Sequence, residues 1–155
     1  MKKTLFFAII IFICDALIFN VGIIARFFIV IIVLKAIFDY KDFKKEYLKY
    51  SIYSVTAFLI LGANYLNNTI AHDRSTQLIS TIERYKQENG AYPQSLGDLT
   101  PNYIKTIPRA NYTVWGLFWY IPVPETNDAI LFYIDLPPFG RPTYLFNKKE
   151  WYYNG

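Results

Sequence analysis

The side chains that could do chemistry are few, and their spacing brings none of them into a catalytic pattern. His72 is the single histidine of the chain and Cys14 the single cysteine. With no second imidazole and no second thiol, a zinc site has no ligand set, and a disulfide framework is excluded. The residues around Cys14 (Ile11, Phe12 and Ile13 before it, Asp15 after it) do not form a lipoprotein cleavage site, so Cys14 reads as a thiol inside a helix. Ser75 and Ser80 have no His/Asp arrangement near them in sequence that would make either a nucleophile. Glu83 with Glu88, and Asp128 with Asp135, are the carboxylate pairs that could share acid–base work, but both pairs fall on segments expected to be solvated. No glycine-rich phosphate loop occurs. The chain is therefore expected not to be an enzyme, and no cofactor or metal is expected.

Two other sets of residues stand out. Asp15 and Arg26 are the two charges deep inside the long apolar run over residues 4–38, Lys35 lying near its end. Asn20, Val21 and Gly22 between them suit the apex of a helical hairpin, which would put the two charges at similar depth. They are the candidate intramembrane ion pair, since an unpaired charge in hydrocarbon is costly. The second set is aromatic. Trp115, Trp119 and Tyr120 crowd one predicted strand, and Trp151 and Tyr153 lie near the C-terminus. Aromatic surface clusters favour partner binding, and these five are the candidate partner-binding residues. The competing reading places them in the core of the sheet or at a membrane interface.

The elements that position these residues begin with hydropathy. Apolar runs at 4–38 and 51–65 flank a lysine-rich stretch at 39–50. Runs of that length beside basic residues predict membrane spans near 4–19, 21–38 and 51–67. No small-x-small site follows the first run, so an uncleaved hairpin is expected in place of a signal peptide. Lys2 and Lys3, with Lys41, Lys44, Lys45 and Lys49, place the N-terminus and the 39–50 loop in the cytoplasm. The part after residue 67 then lies outside it, periplasmic or extracellular, with the protein multi-pass in a bacterial inner membrane. The net charge of +4 belongs wholly to residues 1–68, with eight basic and four acidic side chains against eight of each in 69–155. The second part is neutral, which argues against a nucleic-acid partner.

Residues 1–67 are thus expected to be a membrane anchor and 68–155 a separate α+β domain. Ala71, Ser75, Leu78, Ile82 and Tyr85 recur at spacings of four and three, an amphipathic helix continuous with the third span. Asn89-Gly90 ends it. Ser95 and Asp98 have capping-box spacing. Beyond Arg109 the period changes to two. Strands are predicted at 112–121, 129–136, 142–147 and 150–153, the last two joined by a turn at Asn147-Lys148-Lys149. The expectation is a small antiparallel sheet lying on the long helix, with Ile130, Phe132, Ile134 and Leu136 facing Leu78, Ile82 and Tyr85.

The stretch Tyr85-Lys86-Gln87-Glu88-Asn89-Gly90-Ala91-Tyr92-Pro93-Gln94-Ser95-Leu96-Gly97-Asp98-Leu99, followed by Pro101-Asn102-Tyr103-Ile104 and Ile107-Pro108, resembles the headpiece of type II secretion pseudopilins and type IV pilin-like proteins. The resemblance covers about residues 69–155 and is strongest at 78–108. It implies a pilin-like headpiece. The Gly-Phe-x-x-x-Glu leader junction of that family has no counterpart here, and two predicted spans precede the long helix. The headpiece is therefore expected not to polymerise.

Taken together, these readings describe a membrane-anchored, extracytoplasmic protein-interaction module. Its expected partners are membrane lipid and either an envelope assembly, such as a secretion or pilus-like system, or a toxin against which it gives immunity. A transporter or an enzyme is a distant alternative.

Overall fold

The computed structural model describes residues 2–135 and 140–154. The chain divides into two compact units, Met1–Asn67 and Asn68–Gly155.

The first unit is helical. Helix α1 (Lys2–Phe12) passes into a π-helical turn (Ile13–Phe19). Asn20 and Gly22 then take left-handed backbone angles, φ +52° and +66°, and reverse the chain into α2 (Ile23–Phe38). A short α3 (Tyr40–Lys45) precedes α4 (Tyr47–Asn89), which begins in this unit and ends in the second. Phe28 of α2 packs on Tyr53 at 5.3 Å between ring centroids. The Asn67 amide donates to Asn20 Oδ1, 3.1 Å, and to Ala16 O, 3.5 Å. Within this unit α2 therefore runs against α4, and α1 runs with it. Ala16, Ala25, Ala57 and Ile60 form the buried centre, where small side chains let the helices approach closely.

The predicted membrane anchor is not found. Among the described residues, no helix is long and apolar enough to cross a membrane. The first apolar run changes from α- to π-helix after Phe12 and reverses at residues 20–22. What remains is an 11-residue and a 16-residue helix, whereas about 20 apolar residues are needed to span hydrocarbon. Helix α4 is 43 residues long, but Ser51, Tyr53, Ser54, Thr56, Asn64, Asn67 and Asn68 dilute its apolar stretch. The three spans, the membrane anchoring and the inner-membrane placement, with its cytoplasmic N-terminus and exported C-terminal domain, are corrected by this finding.

The second unit is α+β: a long helix packed on a four-stranded antiparallel sheet. The strands are β1 (Phe118–Val123), β2 (Asp128–Tyr133), β3 (Arg141–Leu145) and β4 (Glu150–Asn154), in the order β1-β2-β3-β4. Gly90, at φ +78°, closes α4, an angle that costs little without a Cβ. Ser95 and Asp98 cap a single 3₁₀ turn (Leu96–Leu99) reciprocally. The core joins Leu78 and Ile82 of α4 to Tyr92, Leu99, Ala129, Leu131 and Phe146. In β2 the buried residues are Ala129, Leu131 and Tyr133. The parity expected from sequence is therefore reversed, since Ile130 and Phe132 face away from the helix. Ile134 follows the end of β2, and Leu136 lies outside the described residues. The first predicted strand is also shorter than expected, because residues 111–117 form a loop.

Candidate functional site

The loop before β1 is built by its polar residues. The Asn111 side chain is fully buried, and its Oδ1 accepts from the Thr113 backbone N–H at 3.0 Å and hydroxyl at 2.7 Å. A Cβ at Gly116 would lie 2.3 Å from the Asn111 carbonyl oxygen, so only glycine allows this approach. Arg109 donates to Thr113 O at 2.8 Å. Arg74 donates to Arg109 O at 3.0 Å and to the Tyr112 hydroxyl at 2.9 Å. With its polar backbone turned inward, the loop turns Tyr112, Val114, Trp115 and Leu117 out to solvent.

The outer face of the sheet continues that surface. In an antiparallel ladder, directly opposed residues project to the same face. Trp119, Phe132, Thr143 and Tyr152 stand in one row, and Ile121, Ile130, Leu145 and Glu150 in the next. Trp119 stacks on Phe132, with centroids 6.1 Å apart and planes 8° from parallel, yet remains 49% exposed. Ile121 is 48% exposed. The apolar side chains lie at the β1–β2 side of the face, and Thr143, Tyr152 and Glu150 lie toward β4. Such a face can exclude water over its centre and form hydrogen bonds at its margin, the anatomy of a protein interface.

The five aromatic candidates separate. Trp115 and Trp119 lie on the exposed surface. Tyr120 and Trp151 face the helix side, Tyr120 donating its hydroxyl to Pro93 O at 2.9 Å and Trp151 packing on Tyr144 at 5.3 Å. Tyr153 is exposed and donates to Asp135 Oδ1 at 3.1 Å. Burial pushes the Tyr120 hydroxyl well above its ordinary pKa, with Asp98 adding to the effect. Burial, reinforced by Asp135, pushes Tyr133 up to about 12. Both are neutral donors at physiological pH. Residues that sequence reasoning missed are Tyr112, Val114, Leu117, Ile121, Ile130 and Phe132. Pairing Trp119 with its cross-strand partner Phe132 would have found the last two.

Asp15 and Arg26 do not form the expected ion pair. The Asp15 carboxylate is buried and accepts from the Gly22 N–H and the Ala25 N–H, each at 2.9 Å, which caps the start of α2. Arg26 donates to Val21 O at 3.2 Å. The other chemical candidates are spread out. Ser75 and Ser80 donate to the His72 and Gln77 carbonyls of their own helix. Glu83 accepts from the Tyr92 hydroxyl at 3.2 Å, and Glu88 from that of Tyr103 at 2.8 Å. Asp128 Oδ1 accepts from the Ala129 N–H at 2.7 Å. Comparison with protein-family models, curated proteins and solved structures returns no match for this chain.

Proposed function

We propose that the chain is a protein-interaction module that acts by contact and performs no chemistry of its own, an accessory component of a larger assembly. One observation carries this reading: the outer sheet face and the adjoining loop expose Trp115, Leu117, Trp119 and Ile121 around the Trp119–Phe132 stack. Monomeric proteins seldom leave contiguous apolar surface of this kind uncovered. The neutral charge balance of residues 69–155 favours a protein partner over a polyanion. The resemblance of residues 78–108 to pseudopilin headpieces supports a secretion or pilus-like assembly as the setting.

The test is site-specific photocrosslinking in cells producing the full chain. Benzoylphenylalanine in place of Trp119 or Ile121 should give one discrete adduct with a foreign protein, and the same group in place of Gln87, on α4, should not. Trp119→Ala should weaken the captured complex by about 2 kcal/mol or more, roughly thirtyfold, as truncation of a central aromatic anchor does. No adduct, or equal labelling from Gln87, would overturn the reading. An adduct between two copies of this chain would overturn the foreign partner.

A further inference from the structure

Within the first unit, α1 and α4 leave a slot of about 460 Å³ between them. Leu5, Ile9 and Phe12 form one wall, and Ile52, Val55 and Leu59 the other. Two hydroxyls lie in this lining, and both are committed to their own helix. Ser51 donates to Tyr47 O and Thr56 to Ile52 O, each at 2.9 Å. The slot therefore presents a surface with almost nothing for a polar ligand to bond. Its size falls in the range of small-molecule sites.

One end of the slot is different. Ile52 also borders a second hollow of about 370 Å³, lined by Thr4, Lys45, Glu46 and Lys49. Lys49 is paired with Glu46 at 2.9 Å, so those two charges offset one another. Among the described residues Lys45 enters no ion pair within 4.0 Å. The mouth thus carries one uncompensated positive charge above an apolar channel.

We propose that this slot binds a single-chain amphiphile with an anionic head, a free fatty carboxylate. The tail lies between α1 and α4, and the carboxylate lies at the mouth beside Lys45. From Ile52 to Leu59 the helix rises about 10 Å, the length of roughly eight carbons of an extended chain. A ten-carbon acid would fill the slot and place its head in the hollow.

Equilibrium dialysis of labelled decanoate against the full-length chain tests this. One saturable site per chain is expected. Octanoate should bind about fifteenfold more weakly, because each buried methylene contributes about fourfold. Val55→Trp, at an exposed position of the wall, should abolish binding, and Ile37→Trp, on the exposed side of α2, should leave it intact. Lys45→Glu should weaken decanoate about fivefold and leave decanol unchanged. Circular dichroism confirms that the variants keep their helix content. If Val55→Trp does not, photolabelling by a diazirine decanoate, mapped to residues 5–12 and 51–59, decides instead. Unsaturable uptake, equal binding by Val55→Trp, or labelling spread over α2 would show partition onto the apolar exterior and overturn the site. So would binding only to vesicles of anionic phospholipid, with none to monomeric decanoate.

Discussion

Replacing Asp15 should loosen the first unit through its helix cap. The carboxylate accepts two backbone N–H groups at 2.9 Å, from Gly22 and Ala25. Gly22 is the N-cap of α2 and Ala25 lies in its first turn, where N–H groups have no partner within the helix. The Asp15 side chain is 1% exposed, so water cannot replace it without local opening. Asp15→Ala strands both donors. Each buried, unpaired N–H costs about 1–3 kcal/mol, and cap deletions in general cost about 0.5–2 kcal/mol. A loss of about 2–4 kcal/mol follows. Asp15→Asn keeps one acceptor and should lose about half of that. Arg26→Gln should cost under about 0.5 kcal/mol, because its bond to Val21 O lies at the surface. Native-state amide exchange in the full chain measures this locally. The Gly22 and Ala25 amides should exchange about a hundredfold faster in Asp15→Ala and nearly unchanged in Arg26→Gln. Equal damage from the two single changes, with recovery in the double variant, would mean that the residues act as an ion pair and would refute the capping account.

Two further outcomes test the second unit. Leu131→Asp places a carboxylate in the core and should unfold the sheet, whereas Ile130→Asp, its neighbour on the outer face, should cost little stability. Urea denaturation of the two variants reads the difference, and the reverse order would show that the face assignment is wrong. At high pH, Tyr133 should resist ionisation. Its folded pKa of about 12 lies above the ordinary value of 10.0, so the native state holds a proton that the unfolded chain releases. Stability is then full below pH 10 and falls as pH rises from 10 to 12. A spectroscopic titration should find Tyr133 ionising well above pH 10, together with unfolding, and ionisation near pH 10 would remove the burial argument.

Features set by neighbours in sequence were legible. The close of α4 at Gly90, the Ser95–Asp98 capping box and the turn between β3 and β4 each depend on two to four residues. The apolar stripe of Ala71, Ser75, Leu78 and Ile82 also reads directly, since all four are buried. The facing of β2 was not legible. Ile130 and Phe132 are as apolar as Leu131 and Tyr133, so alternation identifies a strand without choosing its inner side. Phe146 and Tyr92, distant in sequence, make that choice by packing against Leu131 in the core. The apolar run over residues 4–38 misled for a related reason. Hydropathy sums over a stretch and, although the reversal at Asn20 and Gly22 was legible as an apex, it did not show that the α-helices on either side are 11 and 16 residues long, too short to span hydrocarbon. The same reversal brings the α2 amides onto Asp15, where distance from the apex suggested Arg26. Of the candidate aromatics, Trp115 and Trp119 were legible as exposed surface, and Tyr120 and Trp151 were not separable from them by composition.

Among the described strands, β1 and β4 are the edges of the sheet. The ladder of β1 with β2 runs unbroken through Pro122 opposite Ala129, so the donor that proline lacks is one that would have pointed outward. An incoming strand would find a gap in its hydrogen bonds there. The other edge, β4, begins at Glu150 directly after Lys148 and Lys149, and charge there discourages stacking of one sheet on the next. A chain that displays this much greasy surface runs a standing risk of runaway aggregation in the crowded cell. Hindered edges disfavour its most dangerous form, the endless cross-β ribbon, and leave the flat of the sheet as the surface for the partner proposed above.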